Sequence, residues 1–138
     1  MNPDRFISRL ELAAQSEAVR WARRHAQDVL SAWKVPVDSI DATALAVSEL
    51  VTNAVKHAAP PVGDPSPAPA TLTIRHRYTH LIVEVADADT RPPVSEGNSD
   101  PSEIGGRGLF IVDTISKEWG YYLPPTGGKV VWCVMALD

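Results

Sequence analysis

The chain has a single cysteine, Cys133, among its 138 residues. One cysteine can form neither an internal disulfide nor a cysteine metal cluster. Sparse cysteine is also what a reducing, cytoplasmic setting selects. No stretch approaches the roughly 18 apolar residues that a membrane span requires. Met1-Asn2-Pro3-Asp4-Arg5 has no apolar run behind it, so no secretory signal and no membrane partner are expected. A large excess of charge of one sign is missing as well. A net charge of −4 and a pI near 5.5 supply no basic field, which argues against direct nucleic-acid binding. The GxxxxGKS/T phosphate loop is absent, and so is a glycine fingerprint placed directly after a strand, which excludes Walker and Rossmann sites. What remains is an ordinary globular composition, 44% hydrophobic and 22% charged, without internal repeats. One domain over residues 1–138 is expected.

The hydrophobic pattern divides the chain into alternating elements. Residues 6–13 alternate with a period near two and predict a strand. Residues 16–34 switch to helical spacing, with Ala18, Val19, Ala22, Ala26, Val29, Leu30 and Trp33 on one side and Arg20, Arg23, Arg24 and His25 on the polar side. Ser16 is the expected N-cap, and Pro36 ends the helix because the residue before a proline avoids the helical region. A second helix is predicted over about 41–58, capped by Asp38 or Asp41, with a core stripe of Val47, Leu50, Val51, Ala54 and Ala58. Five prolines within 59–70 predict an extended loop. Strands follow at 71–78 and 81–86, with Thr79-His80 as the hairpin turn. Residues 88–105 are polar and aperiodic. A short helix over about 109–116 and strands at 119–123 and 129–137 complete the chain, the last strand being apolar on both faces and therefore interior. Helices and strands arrive mixed, and the strands arrive in hairpins. The fold class is α+β, a mostly antiparallel sheet with helices on one face.

Three features carry chemistry. Glu49, Asn53 and His57 stand at i, i+4 and i+8 and share one face of the second helix. An exposed polar stripe is the plainer reading. The functional one is a nucleotide or metal face, because an Asn carbonyl suits Mg²⁺ beside phosphates and a Glu one turn away can deprotonate a hydroxyl. Asp87 ends an apolar strand, where it is either a turn former or an acceptor for an amino group such as that of adenine. Gly105-Gly106-Arg107-Gly108 opens a helix, where glycines admit backbone N–H groups to phosphate and the helix dipole adds a positive end.

In that order, helix ExxxN, strand Asp, long loop and GxG helix entry, the chain resembles the GHKL (Bergerat-fold) ATP-binding domains over nearly its whole length. Within them it is most similar to the small single-domain anti-sigma serine/threonine kinases found in actinobacteria. The residues that carry the resemblance are Ala46-Val47-Ser48-Glu49-Leu50-Val51-Thr52-Asn53-Ala54-Val55-Lys56-His57, Val85-Ala86-Asp87-Ala88-Asp89, Gly106-Arg107-Gly108-Leu109-Phe110-Ile111-Val112-Asp113, and the tail Trp119-Gly120 with Gly127-Gly128-Lys129-Val130-Val131-Trp132. The resemblance implies ATP and Mg²⁺ as cofactors. It implies Glu49 as the general base, Asn53 as the Mg²⁺ ligand, Asp87 as the adenine-amino acceptor, and His57, Gly106, Arg107, Gly108 and Leu109 as further nucleotide-binding positions, with residues 88–105 as the ATP lid. It implies a homodimer whose partners are a sigma factor and an anti-anti-sigma antagonist, the first helix with Arg20, Arg23 and Arg24 lying in the partner-contacting region.

Three positions depart from the family pattern. The first glycine box, Asp-x-Gly-x-Gly in the superfamily, is Asp87-Ala88-Asp89-Thr90-Arg91 here, with neither glycine. Val130 stands where many relatives place a Thr that supports the adenine-binding Asp. A fold that has kept partner binding and lost catalysis is therefore the alternative to a kinase. The catalytic fragment of a sensor histidine kinase ranks below both, because only about 40 residues precede the ExxxN helix and His25 has no dimerisation helix beside it.

Overall fold

The structure, a computed structural model, describes residues 3–13, 15–57, 69–93 and 108–137. The element order is β1 (Phe6–Ala13), α1 (Glu17–Ala32), α2 (Val37–His57), β2 (Pro69–His76), β3 (His80–Asp87), α3 (Gly108–Ile115), β4 (Glu118–Tyr122) and β5 (Lys129–Ala136). The five strands form one sheet in the order β1-β2-β3-β5-β4. Each of the four pairings is antiparallel. The α+β architecture follows the expectation, and β5 is an interior strand between β3 and β4.

The sheet buries one face under the helices. Along β3, Leu81, Val83 and Val85 are buried while Ile82, Glu84 and Ala86 are half-exposed, which is the period of two expected of a sheet covered on one side. The antiparallel register sets Leu81 opposite Met135, Val83 opposite Cys133 and Val85 opposite Val131. These pairs form an apolar ladder in one core with Val47, Leu50, Val51 and Ala54 of α2. α1 adds Ala18, Ala22, Ala26 and Leu30, each buried. The three alanines form a thin stripe on which a neighbouring helix can pack closely. Burial pushes the Cys133 thiol, within the ladder, up to about 12.

Four boundaries differ from the sequence reading, each for a local reason. Ser16 does not cap α1 with its side chain; its hydroxyl goes to the neighbouring Glu17 carboxylate at 3.2 Å. α2 begins at Val37, because the Pro36 carbonyl already accepts from the Ile40 N–H at 2.9 Å. Pro36 therefore opens α2 rather than closing α1, which ends at Ala32, where Lys34 turns left-handed at φ +61° and the Lys34 and Val35 N–H groups return to the Ser31 and Leu30 carbonyls; Asp38 falls in the first turn of α2, where the helix dipole favours it. The β2–β3 hairpin turns at Tyr78-Thr79, with His80 already in β3; the Arg77 N–H donates to the His80 carbonyl at 2.9 Å. Tyr78 takes φ +59° there, a strained value that the absence of Asn-Gly imposes. Pro69 and Ala70, placed in the Pro-rich loop by composition, belong to β2; Pro69 pairs with Ala13 at the strand's first position, where a proline is tolerated. The remainder of that loop lies outside the described residues.

His25 is also placed differently. It is half-buried, and its ring nitrogen bonds the Ser8 hydroxyl of β1 at 2.8 Å. Burial lowers its proton affinity, against a smaller opposing pull from Asp28.

The β4–β5 turn returns the chain to the end of β3. Gly127 and Gly128 have φ of +99° and +72°, and a Cβ on Gly128 would stand 2.0 Å from the Asp87 carbonyl oxygen, whereas one on Gly127 would meet nothing within 4 Å. Both positions favour glycine, and only one is also sterically closed. Gly127→Ala should lower stability by about 1 kcal/mol. Gly128→Ala should cost distinctly more, about 2 kcal/mol or above, because the β3 backbone must move as well. Urea denaturation of both variants measures the difference.

Candidate nucleotide site

The period of two that buries Leu81, Val83 and Val85 carries on to Asp87, so a carboxylate occupies an inward-facing position and is 8% exposed. A buried carboxylate needs compensation. It comes from Lys129, directly opposite in the β3–β5 register and itself 3% exposed. The Lys129 Nζ donates to Asp87 Oδ1 at 3.1 Å and to the Asp89 carbonyl at 3.3 Å. The Asp89 backbone N–H donates to the same Oδ1 at 2.8 Å. The other oxygen, Asp87 Oδ2, is buried and has no hydrogen-bond partner among the described residues.

Lys129 is the ion-pair partner of Asp87, a role that the linear sequence does not announce. The signal for it is indirect. Counting back by two from Cys133 through Val131 reaches position 129, so a lysine sits in an apolar series opposite an aspartate that ends another. Val130, its neighbour, pairs with Ala86 and brings no hydrogen-bonding side chain to the carboxylate.

The glycine-free segment after β3 is shaped by its own charges. The Arg91 side chain donates to both Asp89 oxygens, at 2.8 Å to Oδ2 from Nε and 2.5 Å from Nη2, and the Arg91 backbone N–H donates to Oδ1 at 2.9 Å. The Arg91 guanidinium, followed by that N–H, holds the Asp89 carboxyl down to about 2. The negative charge at position 89 is thereby committed locally, in a short turn closed by its own side chain.

On α2, Glu49 and Asn53 stand one turn apart, as the spacing requires, and both are half-buried. Asn53 Nδ2 is buried without a partner among the described residues. Burial alone raises the Glu49 carboxyl above the ordinary range, which makes it a stronger base when ionised. α2 packs against β2, β3, β5 and α3, so the elements carrying Glu49, Asn53, Asp87 and Leu109 are neighbours. Leu109 is 4% exposed and lies in the hydrophobic core, where it anchors the start of α3. Gly108 is the first residue of α3 and His57 the last of α2; the His57 side chain lies outside the described residues. Gly106, Arg107 and the span 94–105 of the expected lid lie outside them too. Arg20, Arg23 and Arg24 are exposed on α1.

The residues present fit an adenine nucleotide. An unpartnered buried acceptor, Asp87 Oδ2, suits an exocyclic amino group. Asn53, whose buried Nδ2 has no partner among the described residues, suits a ligand that accepts a hydrogen bond. Among the described residues no group of three or more His, Cys, Asp and Glu side chains could hold a metal ion by itself. Mg²⁺ would be held by Asn53 together with phosphate oxygens.

The raised proton affinity of Glu49 has a stability signature. A carboxyl whose folded value exceeds its unfolded 4.5 contributes stability below that pH and loses it as pH rises through the folded value. Glu49→Gln removes the buried charge. It should therefore raise the denaturation midpoint at pH 7 and leave it nearly unchanged at pH 4, as measured by urea titration at the two pH values.

No curated protein matches the chain. Among solved structures it is similar to the RsbU and RsbW domains of Rv1364c from Mycobacterium tuberculosis, at 19% identity and a TM-score of 0.64, over 94% of this chain and 32% of that one. The chain thus spans about a third of the length of that relative, and the likeness is one of fold. The family model of the histidine kinase-like ATPase domain matches residues 12–135, nearly the whole sequence, and the chain belongs to that family.

Proposed function

We propose that this chain is a regulatory, ATP- and Mg²⁺-dependent serine/threonine protein kinase of the anti-sigma type. In this reading it sequesters a sigma factor, phosphorylates an anti-anti-sigma antagonist, and so controls transcription. It acts as a cytoplasmic homodimer, with residues 1–138 forming one ATP-binding domain. The observation that carries the reading is the buried Asp87 with its one unpartnered oxygen, placed at the end of β3 in a histidine kinase-like ATPase fold. The presence of an RsbW domain in the similar solved structure fits the anti-sigma assignment.

The residues divide the work. Asp87 accepts from the adenine amino group. Gly106, Arg107 and Gly108 close over the phosphates from the start of α3, with residues 88–105 as the lid, while His57 and Leu109 border the nucleotide. Asn53 lends a carbonyl oxygen to the metal, and Glu49 takes the proton of the accepting hydroxyl. Mg²⁺, when bound with ATP, neutralises charge on the phosphate oxygens. Phosphoryl transfer demands little covalent work of a protein beyond positioning and charge neutralisation.

Calorimetric titration with ATP and Mg²⁺ tests the site. Saturable binding by the wild-type chain, lost or weakened by at least about tenfold in Asp87→Asn, is the expected result; this is about 1.4 kcal/mol, one hydrogen bond to a charged group. Wild-type binding that Asp87→Asn leaves unchanged would sink the assignment of the acceptor.

A binding-only protein is the second reading. The observation favouring it is the Asp89–Arg91 turn, which stands where the superfamily has lid glycines. Transfer of labelled γ-phosphate to the antagonist separates the two. A kinase should show a rate that rises with pH through a midpoint above the ordinary carboxylate range, as burial of Glu49 requires, and that falls about 10²–10⁴-fold in Glu49→Gln. Nucleotide binding without transfer would leave the binding-only reading standing.

A further inference from the structure

Among the described residues, two donors converge on one oxygen of Asp87 and none reaches the other. A salt bridge serving stability alone gains by engaging both oxygens, since a buried acceptor without a donor is costly. Here Lys129 Nζ and the Asp89 N–H both meet Oδ1, at 3.1 Å and 2.8 Å, while Oδ2 stays buried and bare. The ammonium cannot readily swing across. Its second contact, 3.3 Å to the Asp89 carbonyl, ties it to the segment after β3. The backbone is fixed as well, because Gly128 lies against the Asp87 carbonyl closely enough to exclude a Cβ.

We infer that Lys129 is the positioning residue of the nucleotide site. It clamps Oδ1 of Asp87 and so presents Oδ2 as the one acceptor for a purine carrying an exocyclic amino group. The inference rests on the proposed ATP site and adds to it the origin of base selectivity. A base with a donor at that position satisfies Oδ2. A 6-oxo purine turns an acceptor toward a buried carboxylate oxygen and is rejected, as sites built around a required hydrogen bond reject ligands that lack it. Lys129 thereby supplies the side-chain support that Val130, beside it on β5, lacks. It does so with a formal charge, which also keeps the buried pair neutral overall.

The test compares ADP with inosine diphosphate, which differ at this group, by calorimetry on the full chain. The wild type should favour ADP by roughly a hundredfold. Lys129→Met, which keeps the apolar stem and removes the ammonium, should weaken ADP about tenfold and leave inosine diphosphate nearly unchanged. A role in folding alone would weaken both nucleotides equally, and that result overturns the inference. A double-mutant comparison guards against a variant that does not fold. Asp87→Asn and Asp87→Asn/Lys129→Met, the latter free of buried charge, should bind ADP within about twofold of one another, because a residue acting through Asp87 has nothing to add once Asp87 is gone. Additive losses also overturn it. A folded wild-type chain that binds neither nucleotide defeats the parent reading itself, whereas wild-type binding with equal losses in Lys129→Met defeats this inference alone.

Discussion

The ion pair of Asp87 and Lys129 sits where the β3–β5 ladder would otherwise end in another apolar pair. Removing a carboxylate and an ammonium from water is expensive, and their attraction offsets that only with good geometry and further hydrogen bonds. The surrounding structure supplies them. Strand register brings the two residues opposite each other, the turn at Gly127-Gly128 lets β5 start beside the end of β3, and the Asp89 N–H folds back onto the carboxylate. Much of the geometry at this end of the sheet follows from accommodating two charges in a dry place. That is a constraint with no benefit for a protein that only needed a core.

The opposite end of the sheet is held by other means. Phe6 and Trp33 stack with ring centroids 5.4 Å apart, His76 meets both edge-on, and Arg5 lies over Phe6 and Tyr78. These contacts fasten the start of β1 to the C-terminal end of α1 and to the β2–β3 hairpin. Asp4 reinforces the attachment through Arg75 and Arg77. The edge strand is thus pinned by rings and charges at its N-terminal end, and Leu10 and Leu12 pack against the core further along. One pole of the domain is bound by aromatic surface and the other by a buried ion pair.

Much of this was legible in the residues. Alternation marked strands such as β1 and β2, an unbroken apolar run marked the interior β5, and helical spacing marked α1 and α2. The ExxxN stripe and the strand-terminal aspartate were visible since polar residues in apolar series stand out. Local chemistry that depends on neighbours in space was harder to read. Whether Ser16 bonds the helix end or Glu17, and whether the hairpin turns at Tyr78 or Thr79, involves small energies that tertiary packing overrides. Lys129 escaped notice because its place is defined by its partner across the sheet. A lysine at the mouth of a strand looks like a solvated residue until the register assigns it an aspartate. The loss of glycines after Asp87 was plain, but its consequence, a side-chain turn between Asp89 and Arg91, was not.

Cys133 offers a use for that same ladder. Its thiol pairs across the sheet with Val83, two rungs from the Asp87–Lys129 pair, and is wholly buried, with burial holding it at about 12. A thiol so protected reacts only when the strands around it part, so its labelling rate counts such openings. The chain carries its own clock for the breathing of β3 against β5, placed by nature and needing no engineered probe. A ligand held between Asp87 and its neighbours would slow that clock in proportion to how firmly it ties the two strands together.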